Sequence, residues 1–93
     1  MNHAILIHKS EDDVGVAVRD IKAGETVAAI TLEGCHIGTI TVVENISLGH
    51  KVALRDLARN KHVIEYGHPI GRATKAIGEG AHVHVHNLKS LRW

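Results

Sequence analysis

The sequence VAVRDIKAGETV at residues 16–27 recurs, with changes, as VALRDLARNKHV at residues 52–63. The two copies share their first Val and Ala, the Arg-Asp pair and the closing Val. Gly24 of the first copy aligns with Asn60 of the second, and glycine and asparagine are the residues that best tolerate a left-handed backbone. Each copy therefore predicts a tight turn, capped by its aspartate, that leads from one strand into the next.

A third and weaker copy, AIGEGAHV at residues 76–83, keeps three features of the repeat. It has an Ile, a Gly three residues later and a Val three residues beyond that. A turn is therefore expected at residues 77–80, and the strand that follows it begins near His82.

Short apolar runs separated by glycine-containing turns dominate the rest of the chain. The runs predicted as strands are residues 4–7, 27–30, 37–43 and 63–66. Residues 67–71 are predicted as a turn that closes the last of these strands. Short helical turns are expected only at residues 54–59 and 72–76, so the chain is predicted to be all-β.

The composition limits the class of protein. At 93 residues the chain is expected to form one domain, spanning residues 1–93, with a small aliphatic core that contains no Phe. Lys and Arg number 11 against 10 Asp and Glu, and this balance argues against a nucleic-acid partner. The sequence contains no apolar run of membrane-spanning length and no signal peptide, so a cytoplasmic protein with no membrane partner is expected.

Histidine is the compositional outlier, with nine residues, and Cys35 is the single cysteine. One cysteine excludes an internal disulfide and any cysteine-rich zinc motif. The small core, the strand edges of an open β fold and Trp93 all favour contact with another chain, including a homo-oligomer.

The stretch GAHVHVHN at residues 80–87 alternates His with Val. As a strand it would place Val83 and Val85 in the core and His82, His84 and His86 on the opposite face, where neighbouring imidazoles can lean onto one metal ion. The alternative is a solvated face of three histidines that needs no metal.

Three motifs in this order resemble the SAF domain of the altronate and galactarate dehydratase family. They are GHKVALRD at residues 49–56, YGHPIGRAT at 66–74 and GAHVHVHNLK at 80–89. The resemblance implies a SAF-type β-clip fold and a lyase that removes water from a sugar acid. Because this domain is often joined to a much larger one, it also implies a separately encoded large catalytic subunit. The ending KSLRW at residues 89–93 is similar to (2R)-sulfolactate sulfo-lyase alpha subunits, in which the leaving group would be sulfite.

Both reactions remove a proton next to the carboxylate of a small anionic organic acid, so positive charge must stabilise the resulting enediolate. The resemblance implies Fe(II), and imidazole ligands also suit Zn or Mn. The metal ligands are predicted to be His82, His84 and His86, with hydrogen bonding behind the ligands as an alternative role for His82. His50 is predicted to protonate the leaving hydroxyl and Lys51 to bind the carboxylate, unless both belong to a solvated turn.

Two further residues are candidates for substrate binding. Arg72 is expected to clamp a carboxylate or sulfonate, or else to pair with Glu65 or Glu79. Asn87 is expected to bind a substrate hydroxyl, or else simply to end a strand. A metal- or ligand-binding module without chemistry of its own remains the alternative class, since a fold does not determine a function.

Overall fold

The computed structural model describes residues 3–90, with the backbone alone described at His3. All regular secondary structure in this range is β, which confirms the all-β prediction. The nine strands are β1 (His3–Ile7), β2 (Val14–Ala17), β3 (Thr26–Thr31), β4 (His36–Thr41), β5 (Lys51–Ala53), β6 (His62–Glu65), β7 (His68–Ala73), β8 (His82–Val83) and β9 (Leu88–Ser90). Because residues 3–90 form no helix, no helical membrane crossing is found among them. Trp93, which was expected to contact another chain, lies outside the described residues.

The strands form two sheets. A six-stranded sheet has the order β4-β3-β1-β2-β5-β8, and a three-stranded sheet has the order β6-β7-β9. The pair β1 and β3 is parallel, and the other recorded strand pairs are antiparallel.

Four copies of one tight turn connect these strands, one more than the sequence repeat predicts. Each copy has a buried aliphatic residue followed three residues later by a residue with positive φ: Ile21 and Gly24, Ile46 and Gly49, Leu57 and Asn60, Ile77 and Gly80. A backbone hydrogen bond closes each turn, as from Glu25 N to Lys22 O at 3.0 Å. The turn at residues 45–50 was not recognised as a copy of the repeat, although Ile46, Gly49 and Val52 have the spacing of Ile77, Gly80 and Val83.

The four turns associate in two pairs. Isolated β-bridges join Ile21 to Ile46 and Leu57 to Ile77. Asp20 and Asp56 were predicted to cap their own turns, and that part of the prediction is wrong. Each aspartate instead accepts a hydrogen bond from a backbone N–H group of the paired turn. The recorded cross-caps are Leu48 N to Asp20 Oδ1 at 2.8 Å, Ala23 N to Asn45 Oδ1 at 3.0 Å and Glu79 N to Asp56 Oδ1 at 2.9 Å.

Each pair of turns has its own hydrophobic core. One core includes Ile21 and Ile46 with Val52, and the other includes Leu57 and Ile77 with Ala53. Successive side chains of a strand point to opposite faces, so β5 contributes Val52 to the first core and Ala53 to the second. Burying such aliphatic side chains contributes about 1.5–3 kcal/mol each for Val, Leu or Ile.

The two predicted helical turns are absent from the described chain. Residues 54–59 form an irregular segment that Leu57 ties to Ile77, and Arg72 and Ala73 belong to β7. The predicted turn at residues 67–71 is shorter than expected. Tyr66 and Gly67 both have positive φ, as in a two-residue type I′ hairpin, so β7 begins at His68.

Two buried aspartates attach this hairpin to the larger sheet. Asp12 accepts hydrogen bonds from the backbone N–H groups of Tyr66 and Gly67 at 2.9 and 3.0 Å. Asp13 accepts from Ile64 N at 2.9 Å and from Lys61 Nζ at 2.7 Å. Buried carboxylates require such donors, and these contacts fix Glu65 at the boundary between the sheets.

Candidate functional site

The turn at Gly80 sets the position of His82. Gly80 donates its N–H to Ala53 O at 2.8 Å and accepts a hydrogen bond from Val43 N at 3.1 Å. Two residues later β8 pairs with β5, and His82 lies opposite Val52. His50 precedes Val52 by two residues, so the His50 and His82 side chains are diagonal neighbours on one face of the sheet.

The strand predicted for residues 82–86 ends at Val83, so that prediction is wrong beyond the second residue. The partner strand β5 starts at Lys51, which pairs with Val83, and offers no further residue for the ladder. The chain turns instead, and Asn87 N donates to His84 O at 3.0 Å. Val85, expected in the core, is 81% exposed at the tip of this turn.

The turn nevertheless gathers the predicted imidazoles and adds a fourth. The His82 ring lies 5.5 Å from His84, 5.4 Å from His86 and 4.9 Å from His50, measured between ring centroids. The His50 ring is also 5.1 Å from that of His84. We refer to His50, His82, His84 and His86 as the histidine cluster.

Three members of the cluster have the donor set of a metal site. One ring nitrogen from each of His50, His82 and His84 lies within 4.8 Å of the other two. His50 Nδ1 and His82 Nε2 are 2.8 Å apart. Two nitrogens bound to one ion at about 2.1 Å each lie about 2.9–3.4 Å apart at octahedral to tetrahedral angles, so the His50 and His82 nitrogens are already close to the spacing that a divalent ion requires.

The neighbours of His82 favour its neutral, ligating form. Burial lowers the pKa of His82, and the adjacent His50, His86 and His84 lower it further, whereas Glu44 acts in the opposite direction. Glu44 Oε2 also accepts a hydrogen bond from His82 N at 3.0 Å. A neutral imidazole is the form that binds metal, so the cluster is arranged to accept an ion near neutral pH.

We expect acid to destabilise the metal-free protein through His82. Its pKa is lowered in the folded state, so below about pH 6.5 the unfolded chain binds more protons. The free energy of unfolding should therefore fall as the pH drops from 7.5 to 5.5. Urea unfolding with EDTA present measures this, and His82→Gln should flatten the dependence whereas His36→Gln, on the exposed start of β4, should not. An unchanged pH dependence in His82→Gln would contradict the assignment.

A cleft of about 240 Å³ adjoins the cluster, and His84 belongs to both. Its polar lining includes Lys51 and Glu65, and its apolar walls include Val83, Val85 and Leu88. Lys51 Nζ lies 3.7 Å from Glu65 Oε1. This cleft combines a cation, a buried carboxylate and an imidazole in a space of small-molecule size.

Arg72 and Asn87 were predicted to bind substrate. Neither is among the described residues that line this cleft. Arg72 Nη1 donates to Asn60 Oδ1 at 2.7 Å, which differs from both ion pairs considered for it. Asn87 is buried, its Oδ1 accepts from His84 N at 3.0 Å and its Nδ2 donates to His82 O at 2.8 Å. The contacts of Asn87 are those of a residue that holds the histidine turn.

Sequence reasoning did not identify His50 as a neighbour of the histidine row, nor Glu44 and Glu65 as site residues. His50 and His82 are 32 residues apart, and only the pairing of β5 with β8 brings them together. One signal was available, because His50 follows Gly49 immediately and His82 follows Gly80 by two residues. No comparable signal marks either glutamate.

Comparison with known proteins identifies the same family over the whole described range. The family model for the altronate/galactarate dehydratase SAF domain matches residues 2–91. The (2R)-sulfolactate sulfo-lyase subunit alpha of Chromohalobacter salexigens is 38% identical over 94 residues, covering 100% of both chains. The altronate dehydratase of Bacillus subtilis is 41% identical over 90 residues, which are 97% of this chain but 17% of that protein. The corresponding sulfo-lyase subunit of Paracoccus pantotrophus is 43% identical over 54 residues, covering 58% of this chain and 81% of its own.

Proposed function

Because the chain belongs to the altronate/galactarate dehydratase SAF domain family, we propose that it is the small subunit of a two-subunit lyase that eliminates water from a sugar acid. One observation supports this proposal most directly. Three potential ligand nitrogens lie close together, and one of the three histidines also lines a cleft that contains Lys51. The substrate would be a small 2,3-dihydroxy acid that loses its C2 proton and its C3 hydroxyl.

His50, His82 and His84 would hold a divalent metal ion, most suitably Fe(II), with Zn or Mn as alternatives. When bound, such an ion supplies Lewis-acid stabilisation of negative charge on substrate oxygens. This ligand set includes His50 in place of the sequence-predicted His86. His86 is exposed and next to His82, so it is the imidazole that remains available to protonate the leaving hydroxyl.

Lys51 would bind the substrate carboxylate. Its ammonium group faces the cleft at the edge of β5, and its ion pair with Glu65 is 3.7 Å long, beyond hydrogen-bond distance. A substrate carboxylate can therefore form a shorter, charge-assisted hydrogen bond to Lys51 without displacing a strong one.

A second candidate is the release of sulfite from (2R)-sulfolactate. It is favoured by one observation, the alignment of this chain with a sulfo-lyase alpha subunit over the full length of both. The chemistry at C2 is the same, and the leaving group on C3 is a sulfonate. Both substrates are anions, so Lys51 suits either.

We further propose a large catalytic subunit as the partner and the cytoplasm as the location. The partner is supported by the relative size of the Bacillus subtilis dehydratase, of which this chain matches 17%. An acidic ligand of the metal, if the site has one, would then come from that subunit.

The test is co-expression with the proposed large subunit, followed by assay with Fe(II). Altronate and galactarate should yield 2-keto-3-deoxy acids, and (2R)-sulfolactate should yield pyruvate plus sulfite if the second candidate is right. Lys51→Met should raise the KM of the active substrate about tenfold or more, because a charge-assisted contact is lost. Absence of turnover with all three acids would contradict the lyase proposal and favour the ligand-binding module.

A further inference from the structure

Glu65 is a buried carboxylate at the wall of the cleft. It ends β6, its side chain is 5% exposed, and it lines the same cleft as Lys51 and His84. Burying a charged carboxylate costs folding free energy unless cations or hydrogen-bond donors compensate for it. The contacts of Glu65 therefore determine how far its charge is compensated.

The ion pairs of Glu65 are long on both sides. Lys51 Nζ is 3.7 Å from Oε1 and His8 Nε2 is 3.8 Å from Oε2. Both distances exceed hydrogen-bond length, so neither contact occupies an oxygen lone pair. The two groups hold the carboxylate in place without saturating it.

His8 approaches the second carboxylate oxygen of Glu65 and packs against an aromatic ring. His8 stacks on Tyr66 at 3.7 Å between ring centroids, and its buried Nδ1 has no hydrogen-bond partner. Lys51 is the cation that lines the cleft beside Glu65, on the side where a substrate carboxylate would bind.

We infer that Glu65 is the general base that removes the proton next to the substrate carboxylate, an inference that rests on the proposed lyase function. With the carboxylate on Lys51, the adjacent carbon lies in the cleft that Glu65 lines. The step is balanced within the site. The C2–H bond breaks, its proton forms an O–H bond on Glu65, and its electron pair moves into the enediolate. That pair then forms the C2–C3 double bond as the C3–O bond breaks, and the leaving hydroxyl takes a proton from His86 and departs as water. From (2R)-sulfolactate the C3–S bond breaks instead, and sulfite departs with the bonding pair. The enol product then tautomerises to a 2-keto acid.

The test uses the complex with the large subunit and whichever of altronate, galactarate or (2R)-sulfolactate it converts. Glu65→Gln should lower kcat about 10²–10⁴-fold with KM changed by less than about threefold, since a base acts in the transition state. Exchange of the C2 proton with solvent deuterium should be lost in parallel, and Glu65→Asp should restore part of both. Glu33→Gln, in the exposed turn between β3 and β4, is the matched control and should behave as wild type.

A second measurement needs no turnover. Titration of the isolated chain with the same acids, followed by amide chemical shifts, should show equal or tighter binding in Glu65→Gln, because a negative charge beside an anion has been removed. Weaker binding, as in Lys51→Met, would show that Glu65 only positions Lys51 and would overturn the inference. So would a kcat within threefold of wild type, whereas inactivity of the wild-type complex would count against the lyase function itself.

Discussion

Replacement of Gly80 by alanine should lower the free energy of unfolding by about 4 kcal/mol, among the largest effects of any single substitution. Gly80 has φ +84°, and a Cβ there would overlap the backbone oxygen of Thr41 and crowd Val42 Cα. Neither atom belongs to a flexible side chain, so the main chain itself would have to move. Urea unfolding at pH 7.5 measures the change.

Gly24→Ala is the matched control for Gly80→Ala. Gly24 occupies the equivalent turn position with φ +92°, but a Cβ there meets nothing within 4 Å. It should cost about 1–2 kcal/mol, the penalty of a left-handed backbone alone. Equal losses in the two variants would show that backbone strain, and not contact with Thr41, decides the requirement for glycine at residue 80.

His50→Ala should weaken the binding of divalent metal by about a hundredfold or more, whereas His86→Ala should change it little. The structure groups the nitrogens of His50, His82 and His84, whereas the sequence alternation alone places His86 in the set. Removing one of three ligands loses a metal bond outright, and removing a neighbour does not. Calorimetric titration with Zn(II), and with Fe(II) under anaerobic conditions, measures the difference.

The control for the metal titration is His36→Ala, an exposed histidine on β4 that lies outside the histidine cluster. It should bind as wild type does, which separates the cluster from incidental histidine binding. A loss in His86→Ala comparable to that in His50→Ala would reinstate the row of three histidines as the ligand set. Wild-type affinity in His50→Ala would remove His50 from the site.

The tight turns of the fold could be predicted from the sequence, but the distant segments with which each turn or strand pairs could not. The pattern of Ile21 and Gly24 was correctly extended to Leu57 and Asn60, because a buried aliphatic and a left-handed residue leave a local signature. Asp20 caps the turn that contains Leu48, which is 28 residues away in the sequence. A local sequence pattern cannot predict such a long-range contact. The stop of β8 after Val83 is similar, since it is set by where β5 begins.

The site shows the same division between local and long-range information. Alternation of His and Val identified the histidine row, and the family motifs supported Lys51 as a carboxylate-binding candidate, which lines the cleft in the structure. Alternation also predicted a buried Val85, which is exposed because the Asn87 side chain stabilises a turn where a strand was expected. The short hairpin at Tyr66 was misjudged because a tyrosine with positive φ has no sequence signature.

The division of β5 between two cores has a mechanical consequence. His50 follows a turn of the first pair, and His82 follows a turn of the second pair. The two imidazoles therefore meet where the halves of the molecule built around the two cores adjoin. An ion held there would add a further link between the two halves across the 32 residues that separate His50 from His82, where the short β5–β8 ladder and the contact between the two rings now join them. The chemistry of the site and the cohesion of this small protein would then depend on the same bonds.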